Sequence, residues 1–568
     1  MCYQNNFRDA IEKITDEALD QTEPPHSLLD FSIWHLLTVS EDRTRMFFAS
    51  WIEADEFHIF NFVDGIKYSL RHSISHVVKK NVNAKVKLPK KTIPQAYTKA
   101  AALLEEADKY ENICRLIAST YNNRGVFLKK GDTYKLEVNE LVDIRYSVLE
   151  GFGHGADIVS DITGVLYRWL KSGPINLKEN VIDSTISNSV YLKKGKVSYS
   201  YKPAISFGLS RSFPQRDQII PVDFEFKWGK AYKTHSLINS LFVRCFYHVL
   251  AVELAARKLS IDGGAESCLV LLISRKQLCE DLQVLADFSE VDVMSFIDYI
   301  TFGNSAHTPD IAIQPLYKSK CGMLMVPCYF ILNSNMQRNL LSLMAKVDKS
   351  HFDSQSDLFE KNMISRMLPS LKKWNYKELN KEFSVNRKKE ELDAIIFDTE
   401  NKVMLVIEMR WVLQPGDSRE VYNRISSISK KVDQVKRKVE FVESNSSVIL
   451  SRTFENKIDF GNIEDWKAKG IVVIHGFGGT ISHDMNFPIV TLDIFCKGIK
   501  QFNSLDKFHN WLKSLCWLPS QGVHYDMETF IEDNGLLKIE RDAARTSSTK
   551  QRYIETLQKS IDDNLMVN

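Results

Sequence analysis

Two short apolar runs carry the residues best suited to do chemistry. They are Glu391-Leu-Asp-Ala-Ile-Ile-Phe-Asp398 and Lys402-Val-Met-Leu-Val-Ile-Glu-Met-Arg-Trp411. The segment Asp398-Thr-Glu-Asn401 between them reads as the turn of a hairpin. Residues two apart on a strand share a face, so Glu408 and Arg410 point the same way and Asp393 reaches that patch from the neighbouring strand. An acid on one strand, with an acid and a cation at the end of the next, is how a site holds Mg²⁺ (or Mn²⁺) against a phosphodiester. Hard carboxylate oxygens suit such an ion, which activates water and offsets charge on the phosphoryl group.

The stretch resembles the core of the PD-(D/E)XK, or restriction-endonuclease-like, superfamily, in which an Asp precedes a strand ending Glu-x-Lys. The wording Glu391-Leu-Asp, then Val406-Ile-Glu-Met-Arg-Trp411, is close to a subgroup that ends Glu-Leu-Lys-Trp. The resemblance covers about residues 351 to 520 and departs from the family at Arg410, which stands where the family has Lys. It implies an α/β core with a mixed central sheet flanked by helices, and metal-dependent cleavage of nucleic acid, DNA rather than RNA. Asp393 and Glu408 would be the metal ligands. A Glu on the first helix often joins that cluster, and Glu360 matches its place. A chain that joins such a core to a long further region also resembles restriction and phage-defence components.

The elements that must position these residues follow in order. A helix, DLFEKNMISRMLPSLKKW, begins at Asp357. At 100° per residue, Ile364, Met367 and Leu371 lie within about 40° of Glu360, so the carboxylate points inward, to a site or to a buried salt bridge. A strand over 377–385, the hairpin, and a helix from about Asp417 to Glu443 come next. That helix carries an apolar stripe of Val421, Ile425, Ile428, Val432, Val435 and Val439. Lys430, Lys431, Lys436, Arg437 and Lys438 crowd its second half and are expected either to follow a nucleic-acid backbone or to form a solvated face. GIVVIHGF and FPIVTLDIF are buried-type strands, and KFHNWLKSL a short helix. His475 and His483 flank a Gly-rich loop and are expected to be structural.

Arginine stays protonated and is a poor base, whereas a lysine's compact ammonium is readily tuned by burial. Three readings follow. Arg410 serves as the electrostatic group, Lys431 takes over the lysine's part, or the domain binds nucleic acid without cutting it. In the last case it is a scaffold or sensor for nucleic acid or a partner protein. Asp393→Ala is expected to leave folding intact and to stabilise the metal-free protein, because crowded like charges repel.

The 568 residues suggest roughly two to four domains. With 44% hydrophobic and 26% charged residues and a net charge of +2, the chain is ordinary globular material and not a polycation, so nucleic-acid contact must come from local patches. The nine cysteines include no Cys-x-x-Cys pair and are expected to be reduced, mostly buried thiols of a cytoplasmic protein. The first twenty residues are polar and acidic, unlike a signal peptide, and no membrane span is expected.

Residues 1–350 read as a mainly helical region without a named fold, and 521–568 as a polar helical tail for docking or oligomer formation. Within the first region, residues 185–230 alternate Tyr, Ser, Val and Phe and read as a β-rich insert. Glu225-Phe-Lys227 there imitates the Glu-x-Lys spacing and is expected to be a decoy. Gly151-Phe-Gly-His-Gly155 reads as a hinge between helices, His248 as a core histidine, and the polar stretch Lys349–Ser356 as a domain boundary.

Overall fold

The computed structural model describes residues 2–50, 56–80, 88–121, 125–138, 144–160, 162–214, 218–305, 308–385, 388–413, 418–454, 461–475, 485–533 and 535–566. Helices alternate with several sheets, so the fold is mixed α/β. The largest apolar cluster draws nearly all its residues from before position 350 and is built around the 28-residue helix Ala231–Lys258. That helix is long and apolar enough to cross a membrane, yet 94% of its most apolar window is buried inside the fold.

His248 lies on this helix and is satisfied within the core. Its Nδ1 accepts from the Tyr199 hydroxyl at 2.7 Å, and its Nε2 donates to the Cys268 carbonyl at 2.9 Å. Burial, helped by Arg244, pushes its pKa down to about 3. Trp34 is a fully buried core residue.

Two features of this region differ from the sequence reading. The β-rich insert is only two small hairpins, Tyr191–Lys193 with Lys196–Ser198 and Glu225–Phe226 with Gly229–Lys230, separated by the helix Pro203–Ser210. Its alternating aromatic residues instead pack as extended chain on the large core, Tyr199 and Tyr201 among them. Glu225 and Lys227 are exposed on and beside a two-residue strand. The glycine run is no hinge either, because the helix Ile144–Ser160 passes straight through it. Tyr146, Val148 and Phe152 of that helix are buried in the C-terminal core, and this packing overrides the weak helix propensity of glycine.

From Asp357 the main elements come in the order read from the sequence, but FPIVTLDIF is strand only over Ile489–Thr491 and continues as the helix Leu492–Gln501. The helix Asp357–Met367 is followed by strands Tyr376–Val385, Lys388–Asp398 and Val403–Trp411, the helix Ser418–Ser444, and strands Lys467–His475 and Ile489–Thr491. The five strands form one sheet in sequence order. The first three are antiparallel, and the last two join in parallel after the long helix crosses over the sheet. Ala394, Ile396, Leu405, Ile407 and Met409 face one apolar layer. Ile395, Phe397, Met404 and Val406 face the other, where Ile428, Val435, Val439 and Val442 of the long helix cover them. Strands buried on both faces read as continuous apolar runs, which is why the sequence signal here is strong.

Residues 521–568 are more than a helical tail. Tyr525–Asp533 and Lys538–Thr546 form a hairpin, and only Lys550–Met566 is helical. The hairpin joins a second one, Gly125–Lys130 with Thr133–Val138, through the parallel pairs Ile539–Tyr134 and Glu540–Lys135. Its exposed charged residues conceal the strand pattern. The final helix docks Tyr553, Leu557 and Ile561 into the C-terminal core, where the Tyr553 ring stacks on Phe152 at 5.7 Å.

The chain passes between cores near residue 351, but through structured residues. Lys349–Asp353 is helical, and the Gln355 side chain bonds the backbone of Glu225 on both sides, at 2.7 and 3.1 Å. Phe359 belongs to the larger core and Met363 to the smaller.

Phe152 therefore tests whether the helix Ile144–Ser160 is part of the C-terminal core. Phe152→Ala is expected to lower stability by about 3–5 kcal/mol in urea unfolding, as for a large aromatic removed from a core. A loss below about 1 kcal/mol would place Phe152 outside any shared core.

Candidate functional site

The sheet forks at the residues singled out from the sequence. Strand Lys388–Asp398 pairs with Val403–Trp411 only from Asp398–Val403 as far as Ala394–Ile407. Beyond that point it stays with Tyr376–Val385, while Val403–Trp411 stays with Lys467–His475 as far as Trp411–His475. Asp393 and Glu408 are the first residues past the last shared pair. Asp393 Oδ2 accepts the Met409 N–H at 2.7 Å, tying the two branches together where the ladder has ended. On the next strand Asn380, between the pairs Leu379–Ala394 and Lys381–Leu392, has a left-handed backbone (φ 47°), so the sheet is kinked beside Asp393.

Glu408 faces the long helix and is 1% exposed. Its Oε1 accepts from Lys431 Nζ at 2.5 Å, and its Oε2 accepts from Lys438 Nζ. Lys438 also lies 3.4 Å from Asp393 Oδ1. Seven residues are almost two helical turns, so Lys431 and Lys438 project from one side of the helix, in line with buried Val435 and Val442. Burial works against the Lys438 charge, but Asp393 and Glu408 outweigh it and hold its pKa above the ordinary lysine value.

The rim of the fork is made by Glu360 and Arg410, whose side chains approach to 3.5 Å. Arg410 Nε is buried with no hydrogen-bond partner among the described residues. Glu360 does not lie within the apolar stripe: its side chain is 31% exposed, because Phe359, Met363, Ile364 and Met367 take the buried side of the helix. Partial burial raises its pKa, with Asp393 and Glu408 adding to the effect and Lys431 and Arg410 opposing it. Trp411 stacks on Phe359 at 3.8 Å, which fixes this helix against the strand and so places Glu360 beside Arg410.

The structure thus brings Asp393, Glu408, Glu360 and Arg410 together, and adds two lysines from the basic run. Lys431 and Lys438 point into the sheet, so they belong neither to a solvated face nor to a backbone-following one. Arg437 is outside and bidentate with Glu390, at 2.9 and 3.1 Å, while Lys430 and Lys436 are exposed. The sequence did hold a signal for the inward lysines, since Lys431, Val435, Lys438 and Val442 share a stripe. A lysine in an apolar stripe demands a buried counter-charge. His475 is half-buried at the end of its strand, and burial lowers its pKa to about 4; His483 and Asp417 lie outside the described residues.

Among the described residues, no group of three or more His, Cys, Asp or Glu stands close enough to hold a metal ion as arranged. The carboxylates are instead neutralised by ammonium groups. This reverses the sign expected for Asp393→Ala: no unscreened repulsion remains to be relieved, and the change would remove both the Met409 tie and a Lys438 partner. Searches of protein-family models, curated proteins and solved structures gave no match to the chain.

Glu408→Ala would leave the buried Lys438 ammonium and the half-buried Lys431 ammonium facing each other. It is expected to cost about 3–5 kcal/mol in urea unfolding, as when one partner of a buried pair is removed. Arg437→Ala, which breaks a pair at the surface, is expected to cost under about 1 kcal/mol. Equal losses for the two would contradict the buried cluster.

Proposed function

We propose that the fork is a phosphodiester-cleaving site of the restriction-endonuclease-like kind and that the chain is a metal-dependent endonuclease. The observation carrying this reading is the meeting of Asp393, Glu408 and Lys431 where two strands part, with Lys431 Nζ 2.5 Å from Glu408 and Arg410 and Glu360 at the rim. The order of elements from Asp357 onward supports it.

Asp393 and Glu408, with Glu360 at the rim, are hard oxygen donors of the type that suits Mg²⁺ or Mn²⁺, and they would hold the ion. Bound there, it would supply water activation and charge neutralisation. Lys431 does from the helix what a strand lysine does elsewhere: its compact ammonium orients Glu408 and can hold a water beside it. Arg410 carries a planar guanidinium whose side chain is 42% exposed at the rim, so its outer N–H groups, and not the buried Nε, bind a phosphoryl oxygen. Glu360 holds the guanidinium in place. Lys430 and Lys436, exposed on the same helix, contact the backbone of the nucleic acid, duplex DNA in preference to RNA.

One observation favours a second reading, a binding module that does not cut. Both Glu408 oxygens and one Asp393 oxygen are already given to ammonium groups.

Plasmid nicking and RNA cleavage in Mg²⁺ or Mn²⁺ separate the two. The wild type is expected to cut, and Asp393→Asn and Lys431→Met to lower the rate at least about 100-fold. Arg410→Lys is expected to keep or raise activity. If neither wild type nor Arg410→Lys cuts while both bind nucleic acid, the binding module takes the enzyme's place.

The backbone contacts have their own test. Lys430→Ala with Lys436→Ala is expected to weaken binding across sequences and flatten the salt slope by about 2. An unchanged slope would return both lysines to an ordinary solvated face.

A further inference from the structure

We infer, resting on that reading, that the Lys438 ammonium is the resident cation of the Asp393–Glu408 pair and leaves only when a divalent ion and a phosphodiester enter together. Among the described residues Lys431 makes its ion pair with Glu408, whereas Lys438 bridges the fork, in contact with Glu408 Oε2 and 3.4 Å from Asp393 Oδ1. It therefore takes the position in which two carboxylates on diverging strands would share one cation. Its side chain is only 8% exposed, with its stem in the row of Val435, Val439 and Val442, so it is not a surface lysine that happens to lie nearby.

The charges decide what can replace it. Asp393, Glu408 and Glu360 are balanced by Lys431, Lys438 and Arg410. A divalent ion added to this cluster gives it an excess positive charge in a poorly solvated place, which is unfavourable. Even exchanged for the Lys438 ammonium, the ion alone leaves one uncompensated positive charge. Exchange of the ammonium for one divalent ion and one phosphodiester leaves the net charge unchanged. Metal and nucleic acid then bind with positive coupling, and by linkage each strengthens the other equally. Without nucleic acid, the lysine keeps the carboxylates neutralised and the site closed to metal. Lys438 is thus a positioning residue that must withdraw, distinct in its task from Lys431.

The test uses full-length protein and Mn²⁺ binding followed by the electron paramagnetic resonance of the free ion. Melting temperatures are recorded in parallel. A phosphorothioate duplex is the uncleavable partner. Wild type is expected to bind Mn²⁺ about tenfold or more tightly with the duplex than without it. Lys438→Met and Lys438→Gln are expected to bind Mn²⁺ about tenfold more tightly than wild type without duplex, and to melt lower until Mn²⁺ restores them. Adding Asp393→Asn should abolish the gain.

Wild type binding Mn²⁺ at Asp393 equally tightly in the presence and absence of duplex, and without duplex as tightly as the Lys438 variants, would overturn the inference and leave the metal-site reading standing. Absence of Asp393-dependent Mn²⁺ binding in folded Lys438 variants and in wild type with duplex would overturn both. The wild-type comparison decides the coupling even if a Lys438 variant fails to fold.

Discussion

A carboxylate held between two ammonium groups inside an apolar sheet is the constraint on which the C-terminal half depends. Glu408 is 1% exposed, and its oxygens are taken by Lys431 and Lys438. For that to happen the strand pairing must stop at Ala394–Ile407, and one helix must deliver two lysines a heptad apart. Asp393 must also turn from ladder neighbour to side-chain tie. Buried ion clusters are seldom more stabilising than apolar packing of the same volume, and breaking one is severe. Stability alone is therefore a poor reason for placing three acids and three cations at the mouth of a well-packed sheet. A site that exchanges charged ligands is a better one.

The rest of the chain holds that arrangement from several directions. The Phe359–Trp411 stack locks the first helix to the Glu408 strand, and Phe359 itself sits in the larger core. Arg338 of the larger region, 7% exposed at its side chain, pairs at 3.0 Å with Glu420 near the start of the lysine helix. The helices Leu492–Gln501 and Leu505–Ser514 pack on the opposite face of the sheet, and Ile144–Ser160 and the final helix add to the same core. The N-terminal region is therefore part of the support for the fork.

How much of this was legible in the sequence varied with the kind of signal. The strand Val403–Trp411 and its neighbour were plain, because burial on both faces leaves an uninterrupted apolar run. Asp393, Glu408 and Arg410 followed from period-two geometry. The inward turn of Lys438 was hidden because five basic residues crowd one helix and only tertiary contact tells inside from outside. Residues 525–546 looked non-strand because exposed charged residues hide the alternation of their hairpin, and the outside strand it joins, at Tyr134 and Lys135, lies some 400 residues away. Gly151–Gly155 looked like a break because propensity is local, whereas Phe152 is held by Tyr553 from the far end of the chain.

The central claim is that the fork receives a metal ion and a phosphodiester. The most direct measurement is anomalous diffraction from crystals of the full-length protein grown with Mn²⁺ and a phosphorothioate duplex. A manganese peak ligated by Asp393 and Glu408, with Lys438 displaced and Arg410 on the phosphate, is the predicted result. A duplex bound elsewhere, with Lys438 still bridging Asp393 and Glu408 and no manganese at the fork, would contradict it.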